Sequence, residues 1–355
     1  MKRDEIQEQC LREILKHERC SAQVGMGIGK TKISIDYLAT LYTGTLKVLV
    51  IVPKLSIMQS WKDEIEKFNF DYLLGHIKFS TYLSLNKQDT DYDVVILDEA
   101  HNVVPRHVQY LDKHKGKILG LSGTLPKYEH SDKYRIINHY CPKVFEYNID
   151  EAIDDLILND YKIIVHSVDL GTAKDFKVKN WSTSEAAAYK YWTDRIRSAV
   201  SPKQQQIMQI MRMKTMMEFK SKPIYAKKLF DSITDKCIIF ANTQAQADYL
   251  CPHSYHSKND SSKANLEMFI NNKILKLAAV NQLSEGVNIP GLKQAIVLHS
   301  YSGSSPRSNQ KLGRILRLSK DEVATLHILM HRDTVDTKWV SSVLDSFNET
   351  RVFYK

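Results

Sequence analysis

The sequence of 355 residues reads as an α/β protein made of two tandem domains, each built on a parallel sheet. Three features lead there. The length is about twice that of a common domain. Short, continuous β-branched runs alternate with helical patterns, as in parallel strands covered on both faces. A glycine-rich stretch ending in Gly29-Lys30-Thr31 stands between an apolar segment and a helical one, the setting of a phosphate-binding loop.

Taken in order, the first half carries a helix at 32–40 behind that loop and strands at 48–52, 77–80, 93–97 and 117–122. The rhythm returns with strands at 236–241, 276–280, 294–299 and 325–330. The first domain is expected over 1–146 and the second over 184–355. Between them, 147–183 is expected as linker and crossing segment, with an acidic helix at 150–158 and a strand-like run at 161–168. The stretch 185–230 is helical, broken by Pro202 and Pro223, and holds Met208, Met211, Met213, Met216 and Met217. Methionines at helical spacing point to core packing; an adaptable contact face for nucleic acid or a partner is the sharper alternative. After 331 there is room for a terminal helix and tail, so no damage-recognition or nuclease module is expected.

Composition narrows the function classes. At 43% hydrophobic and 26% charged residues, the chain is not a disordered one. Its apolar runs fall far short of the roughly 18–20 residues of a membrane helix, and the charged start is unlike a secretory signal. A cytoplasmic protein without membrane partners is expected, acting as a monomer. Cys10, Cys20, Cys141, Cys237 and Cys251 are scattered, which argues against a disulfide framework and a four-thiolate zinc site. Lysine and arginine number 50 against 41 acids, a net +9, which favours a polyanion such as nucleic acid. That charge is spread along the chain, so any binding surface is assembled by folding.

Two segments carry chemistry. In Gly25-Met26-Gly27-Ile28-Gly29-Lys30-Thr31, Gly25, Gly27 and Gly29 let backbone amides curl around phosphate. Lys30 reaches the outer phosphates and Thr31 can ligate Mg²⁺. Glycine is missing at Val24, so the match is to the relaxed form. At the end of the third expected strand stands Asp98-Glu99-Ala100-His101, in the crevice where open α/β sheets bind ligands. There Asp98 suits Mg²⁺, and Glu99 suits orienting and deprotonating the attacking water.

With these residues in place the chain resembles the superfamily-2 helicases and translocases that carry a DEAH box, in the group of the type III restriction motor and the XPB-like and UvsW-like helicases. The resemblance covers nearly the whole chain. Gln7 matches the adenine-reading glutamine; Val52-Pro53-Lys54-Leu55 with Gln59-Ser60-Trp61 is similar to motif Ia, and Ser80-Thr81-Tyr82 to motif Ib. Ser122-Gly123-Thr124 matches motif III, residues 238–243 motif IV, residues 284–290 motif V, and Gln310-Lys311-Leu312-Gly313-Arg314-Ile315-Leu316-Arg317 motif VI. Two tandem RecA-like domains of the P-loop NTPase class are therefore implied, using ATP and Mg²⁺. The resemblance further implies that Gln310, Arg314 and Arg317 serve catalysis and that Glu285 and Gly286 meet the nucleotide. His101, Ser122 and Thr124 are implied to couple the sites. Pro53, Lys54, Ser80, Thr81, Tyr82, Asn242, Thr243 and Gly286 are implied to contact nucleic acid. Arginines around a transferring phosphoryl group contribute about 10³ to 10⁵ in rate. One departure is Asn288, where relatives usually carry aspartate in motif V. The expected function is ATP-dependent movement on or remodelling of DNA with little sequence specificity. An RNA helicase and an ATP-gated nucleic-acid clamp are the alternatives. The compact form suggests a viral or mobile-element origin, in which case the compartment is the host cytoplasm.

Three further patterns are set aside. His331-Arg332-Asp333 imitates a kinase catalytic loop, but no D-F-G follows. Cys251, His253 and His256 sketch a metal site without a fourth ligand. His107, Lys113, His114, Lys115 and Lys117 read as a solvated basic surface.

Overall fold

The computed structural model describes residues 2–25, 27–178, 181–280, 289–300, 322–345 and 347–355. It divides into two units, Met1–Asn159 and Asp160–Lys355.

The first unit opens with α1 (Arg3–Ile14), which buries Ile6, Cys10 and Ile14 along one stripe. There follow β1 (Arg19–Val24), α2 (Lys30–Leu41), β2 (Val48–Val52), α3 (Ser56–Lys67), β3 (Ile77–Thr81) and β4 (Val94–Asp98). The unit closes with α4 (Val108–Lys113), β5 (Lys117–Ser122), α5 (Asp132–Tyr140), β6 (Lys143–Tyr147) and α6 (Ile149–Asp154). The strands form one sheet in the order β3-β2-β4-β5-β1-β6, with every pairing parallel. All five residues of β2 are buried, as a strand covered on both faces requires. Because the strands run one way, the turns after β1, β2, β3, β4 and β5 gather at a single end of the sheet.

The second unit contains β7 (Tyr161–Val168), the antiparallel pair β8 (Phe176–Val178) and β9 (Trp181–Thr183), and the helices α7 (Glu185–Arg197), α8 (Pro202–Met217) and α9 (Ser221–Ser232). Next come β10 (Cys237–Ala241), α10 (Gln244–Leu250), β11 (Ser254–Tyr255), α11 (Ser262–Ile270), β12 (Lys276–Val280), β13 (Gln294–Val297) and β14 (Ala324–His331). A helix α12 (Asp336–Leu344) and a short strand β15 (Val352–Tyr354) end it. The large sheet runs β11-β12-β10-β13-β14-β7-β15.

Several expectations are revised. The boundary between the units, at Asn159 and Asp160, falls within the expected crossing segment 147–183, but the segment is built into the units on either side: α6 lies in the first, and β7 pairs with β14 from Tyr161↔Ala324 to Val168↔His331. The apolar run Ile163-Ile164-Val165 drives this, since it must be buried. The terminal tail is instead a strand, with Val352 opposite Ile163. Pro202 is the first residue of α8 and Pro223 lies in the first turn of α9, where a missing N–H costs nothing. Of the five methionines only Met216 is buried; Met208, Met211, Met213 and Met217 are half-buried, and Ile207 and Ile210 are 49% and 42% exposed. Core packing therefore holds for one methionine, because α8 packs on α7 along one side. Among the described residues, no helix is long and apolar enough to cross a membrane.

Candidate nucleotide site and its surroundings

The loop after β1 is shaped by its glycines. Gly27 and Gly29 have φ of +85° and +104°, a region that side chains resist. A Cβ on Gly29 would lie 2.5 Å from Gln7 Nε2, and one on Gly27 would lie 2.9 Å from Leu158. Gln7, on α1, donates to the Ile28 carbonyl at 2.6 Å, so the loop is pinned from behind. Helix α2 begins at Lys30 with no side-chain cap. Its first N–H groups and its positive end suit an anion. Glycine cradle, uncapped helix and Lys30 together fit a polyphosphate.

Asp98 ends β4 and Glu99 follows it. Asp98 Oδ2 accepts from Trp61 Nε1 at 3.0 Å, and its carbonyl accepts from the Tyr82 hydroxyl at 2.8 Å. Glu99 adopts φ +53°, a strained backbone state for a non-glycine residue. The Asn102 amide secures it by donating to the Glu99 carbonyl at 3.0 Å. Lys30 Nζ lies 3.5 Å from Glu99 Oε1. On the other side His101 Nδ1 lies 3.4 Å from Glu99 Oε2, and Ser122 Oγ lies 3.3 Å from it.

The two carboxyls are driven apart. Burial, then the charge of Glu99, pushes Asp98 up to about 6. Burial also opposes ionisation of Glu99, but Lys30, His101 and Ser122 overcome it and hold its carboxyl at about 2. Glu99 is therefore a charged acceptor, whereas Asp98 needs a cation beside it to be fully charged.

Strand β5 lies between β4 and β1, which sets Ser122 between the Asp98 turn and the phosphate loop. Ser122 Oγ is 2.8 Å from His101 Nδ1 and accepts from the Thr124 N–H at 3.2 Å. Lys133 donates to the His101 carbonyl at 2.9 Å. Gln23, on β1, accepts from the Leu125 N–H at 3.1 Å and donates to Glu146 at 2.8 Å. Gln23 and Lys133 escaped the sequence reading. A glutamine inside the apolar run of β1 was a signal, since a buried amide needs partners.

The residues expected at nucleic acid separate into two groups. Lys54 is exposed, and Pro53 and Thr81 are half-buried, at the ends of β2 and β3. Ser80 and Tyr82 are only 7% and 6% exposed. The Tyr82 hydroxyl is committed to the Asp98 carbonyl, so that group is spent inside the fold. In the second unit Asn242 and Thr243 follow β10, and the Thr243 side chain accepts from the Gln246 N–H to start α10. Glu285, Gly286, Asn288, Gln310, Arg314 and Arg317 lie outside the described residues.

For a metal, Asp98 and Thr31 are the candidates. No group of three or more His, Cys, Asp or Glu side chains is gathered for one among the described residues. The set-aside patterns are spent elsewhere. His256 contacts Asp248 at 2.8 Å and Cys251 donates to the Lys276 carbonyl. His331 is buried, 2.9 Å from Ser221 Oγ. His107 and His114 are buried too, so that stretch is not wholly a solvated surface.

Residues 1–127 match the family described as Type III restriction enzyme, res subunit. The DNA 3'-5' translocase XPB2 of Sulfurisphaera tokodaii is 22% identical over 94% of this chain and 82% of its own length. The ATP-dependent Type ISP restriction-modification enzyme LlaBIII, solved bound to DNA, is similar with a TM-score of 0.64 at 16% identity, over 98% of this chain. The chain spans only 31% of that enzyme. S. cerevisiae Dbp5, solved bound to RNA and ADP BeF3, is similar with a TM-score of 0.58 at 13% identity, over 99% of this chain and 89% of that one. At such identities these structures establish the architecture of tandem RecA-like domains.

Proposed function

We propose, on the premise that the chain is a superfamily-2 helicase, which its family match, its relative and its structural neighbours support, that it couples ATP hydrolysis to movement on DNA. One observation carries the reading. Lys30, Asp98, Glu99, His101 and Ser122 converge at the same end of one sheet where β2 and β3 finish at Pro53, Lys54 and Thr81. Phosphate chemistry and strand binding would then share a rigid frame.

In this account Gln7 reads adenine while bracing the loop, and the glycines with Lys30 hold the phosphates. Asp98 and Thr31 hold Mg²⁺, which neutralises charge on the phosphates when bound. Lys30, drawn to phosphate, leaves Glu99, whose proton affinity then rises toward that of a working base. Glu99 orients the attacking water and takes its proton. His101 and Ser122 report that change to Thr124. Arg314 and Arg317, with Gln310, are assigned to the transferring phosphoryl group, and Glu285 with Gly286 to the nucleotide.

Nucleic acid is assigned to Pro53, Lys54, Ser80, Thr81, Asn242, Thr243 and Gly286, with Tyr82 beside them committing its hydroxyl to Asp98. Small hydroxyls, amides and a lysine suit phosphate contacts that position a strand without reading its sequence. We further take the chain to act as a monomer in a cytoplasm. Movement is tested by displacement of streptavidin from the ends of biotinylated single strands of DNA and of RNA. ATP-dependent release from DNA supports the reading, greater release from RNA favours the RNA alternative, and ATP turnover without release from either leaves an ATP-gated clamp.

A further inference from the structure

We propose that Trp61 and Tyr82 hold Asp98 in its cation-binding pose and tie that pose to the two segments assigned to nucleic acid. The proposal rests on the motor reading above and adds two positioning residues to it.

Both side chains are buried, at 1% and 6% exposure. A buried indole or phenol must find an acceptor, and both find the same residue. Trp61 donates to the Asp98 carboxylate and Tyr82 to its carbonyl. With one carboxylate oxygen fixed by a donor and the backbone fixed by another, the remaining oxygen has one direction in which to face a cation. Hydrogen bonds to an ionised acceptor are the stronger kind.

The two donors come from different segments. Lys54 lies two residues before α3, and Trp61 stands five residues beyond the helix's first residue, Ser56, a rigid span of about 7.5 Å at 1.5 Å per residue. Thr81 is joined to Tyr82 by a single peptide bond, and its strand pairs with the end of β2 at Val52↔Thr81. A strand gripped at Lys54 and Thr81 would therefore set the positions of both donors. Metal affinity and nucleic-acid affinity then become linked, each raising the other by the same factor. Trp61 also meets the Phe79 ring edge-on at 6.2 Å, a contact that phenylalanine in its place can keep.

The test compares the full chain with Trp61→Phe and Tyr82→Phe, each loaded with a slowly hydrolysed ATP analogue. Mn²⁺ binding is measured by electron paramagnetic resonance, with and without single-stranded DNA. Nucleotide affinity in EDTA and the melting temperature are measured in parallel. Without DNA, Trp61→Phe should bind Mn²⁺ about tenfold more weakly, the worth of one hydrogen bond to a charged group, and Tyr82→Phe, which loses a bond to a neutral carbonyl, about fivefold more weakly. Nucleotide affinity in EDTA should stay at the parental value. DNA should tighten Mn²⁺ binding in the parent and fail to do so in Trp61→Phe. Equal Mn²⁺ affinity in the parent and both variants overturns the positioning role, and full DNA-driven tightening in the variants overturns the tie. If Trp61→Phe melts early, Tyr82→Phe, which loses only a hydroxyl, decides. A parent whose turnover ignores nucleic acid would sink the motor reading alone, because the comparison without DNA still judges the two aromatics.

Discussion

Lys30 Nζ lies 3.5 Å from Glu99 Oε1, so the cation suited to phosphate and the carboxylate suited to water neutralise each other when no nucleotide is present. Both side chains are largely buried, at 13% and 14% exposure, and a buried charge needs a partner. Phosphate offers Lys30 a better partner than one carboxylate does. Its departure would leave Glu99 with only His101 and Ser122, and so more basic at the moment a base is needed.

Replacing Glu99 by glutamine removes the proton acceptor while keeping the shape of the side chain. Turnover should fall by roughly 10² to 10⁴, the worth of a positioned general base, while nucleotide binding stays at the parental level or tightens because Lys30 is released. Unchanged steady-state turnover of purified Glu99→Gln would remove the base assignment.

Gly29→Ala should abolish nucleotide binding for two separable reasons. Alanine resists φ of +104°, and its Cβ would strike Gln7 Nε2. Adding Gln7→Ala relieves the collision and leaves the backbone strain, so the double variant should recover part of the affinity for inorganic triphosphate, which has no base for Gln7 to read. Full recovery would mean that backbone strain contributes nothing.

The second unit should weaken in mild acid. Tyr225, His166, His327, Gln294 and Asp235 form one chain of contacts at 2.8 to 3.0 Å. With Gln294 donating to Asp235, both rings in this chain are neutral, with protons on Nε2. Burial, aided by Lys355, lowers His166 to about 4; burial, His166, Lys355 and Lys162 lower His327 to about 3. Below the ordinary value of 6.5 the unfolded chain takes up protons that the folded one refuses. Stability is therefore complete above that pH and falls as pH drops toward 4, by about 1.4 kcal/mol per pH unit for each histidine. Urea midpoints measured from pH 7 to 4.5 should show this slope, and the double variant His166→Gln/His327→Gln should flatten it. An unchanged slope would contradict the assignment.

Lys222 and Asp336 form an ion pair at 0% and 2% side-chain exposure, and Asp336 also accepts from the His331 N–H at 3.0 Å. Lys222→Met should cost about 3–5 kcal/mol by stranding a buried carboxylate. Adding Asp336→Asn keeps an acceptor for His331 without a charge, so most of the loss should return. Additive losses in urea denaturation would show that the pair is not coupled.

What could be read from the sequence follows from how tightly chemistry constrains residues. The Val-Leu-Val-Ile-Val run of β2 can only be a strand covered on both faces, and phosphate binding restricts the loop to glycines and Lys30. The edge strands β6 and β15 escaped, although the edge strand β3 was legible. Strand β15 has only the three residues Val352, Phe353 and Tyr354, too short a run to set it apart from a tail, and in β6 the apolar residues are interrupted by Lys143 and Glu146. The bond from Tyr82 to Asp98 was not legible because a phenol suits a binding surface and a buried carbonyl equally well, and only the fold brings Asp98 within reach. The half-exposed methionines of α8 were misjudged because helical spacing shows which residues share a face, not what covers it.

The most direct test of the motor account is ATP turnover of the full chain without nucleic acid, with single-stranded DNA and with RNA. The account predicts a low rate alone, a rise of at least tenfold with DNA, about 1.4 kcal/mol of barrier, and a smaller rise with RNA. Loss of the DNA-stimulated rate in Arg317→Ala, with nucleotide binding retained, should accompany it. Equal parental rates in all three conditions would contradict it, and the protein would be an ATPase indifferent to nucleic acid.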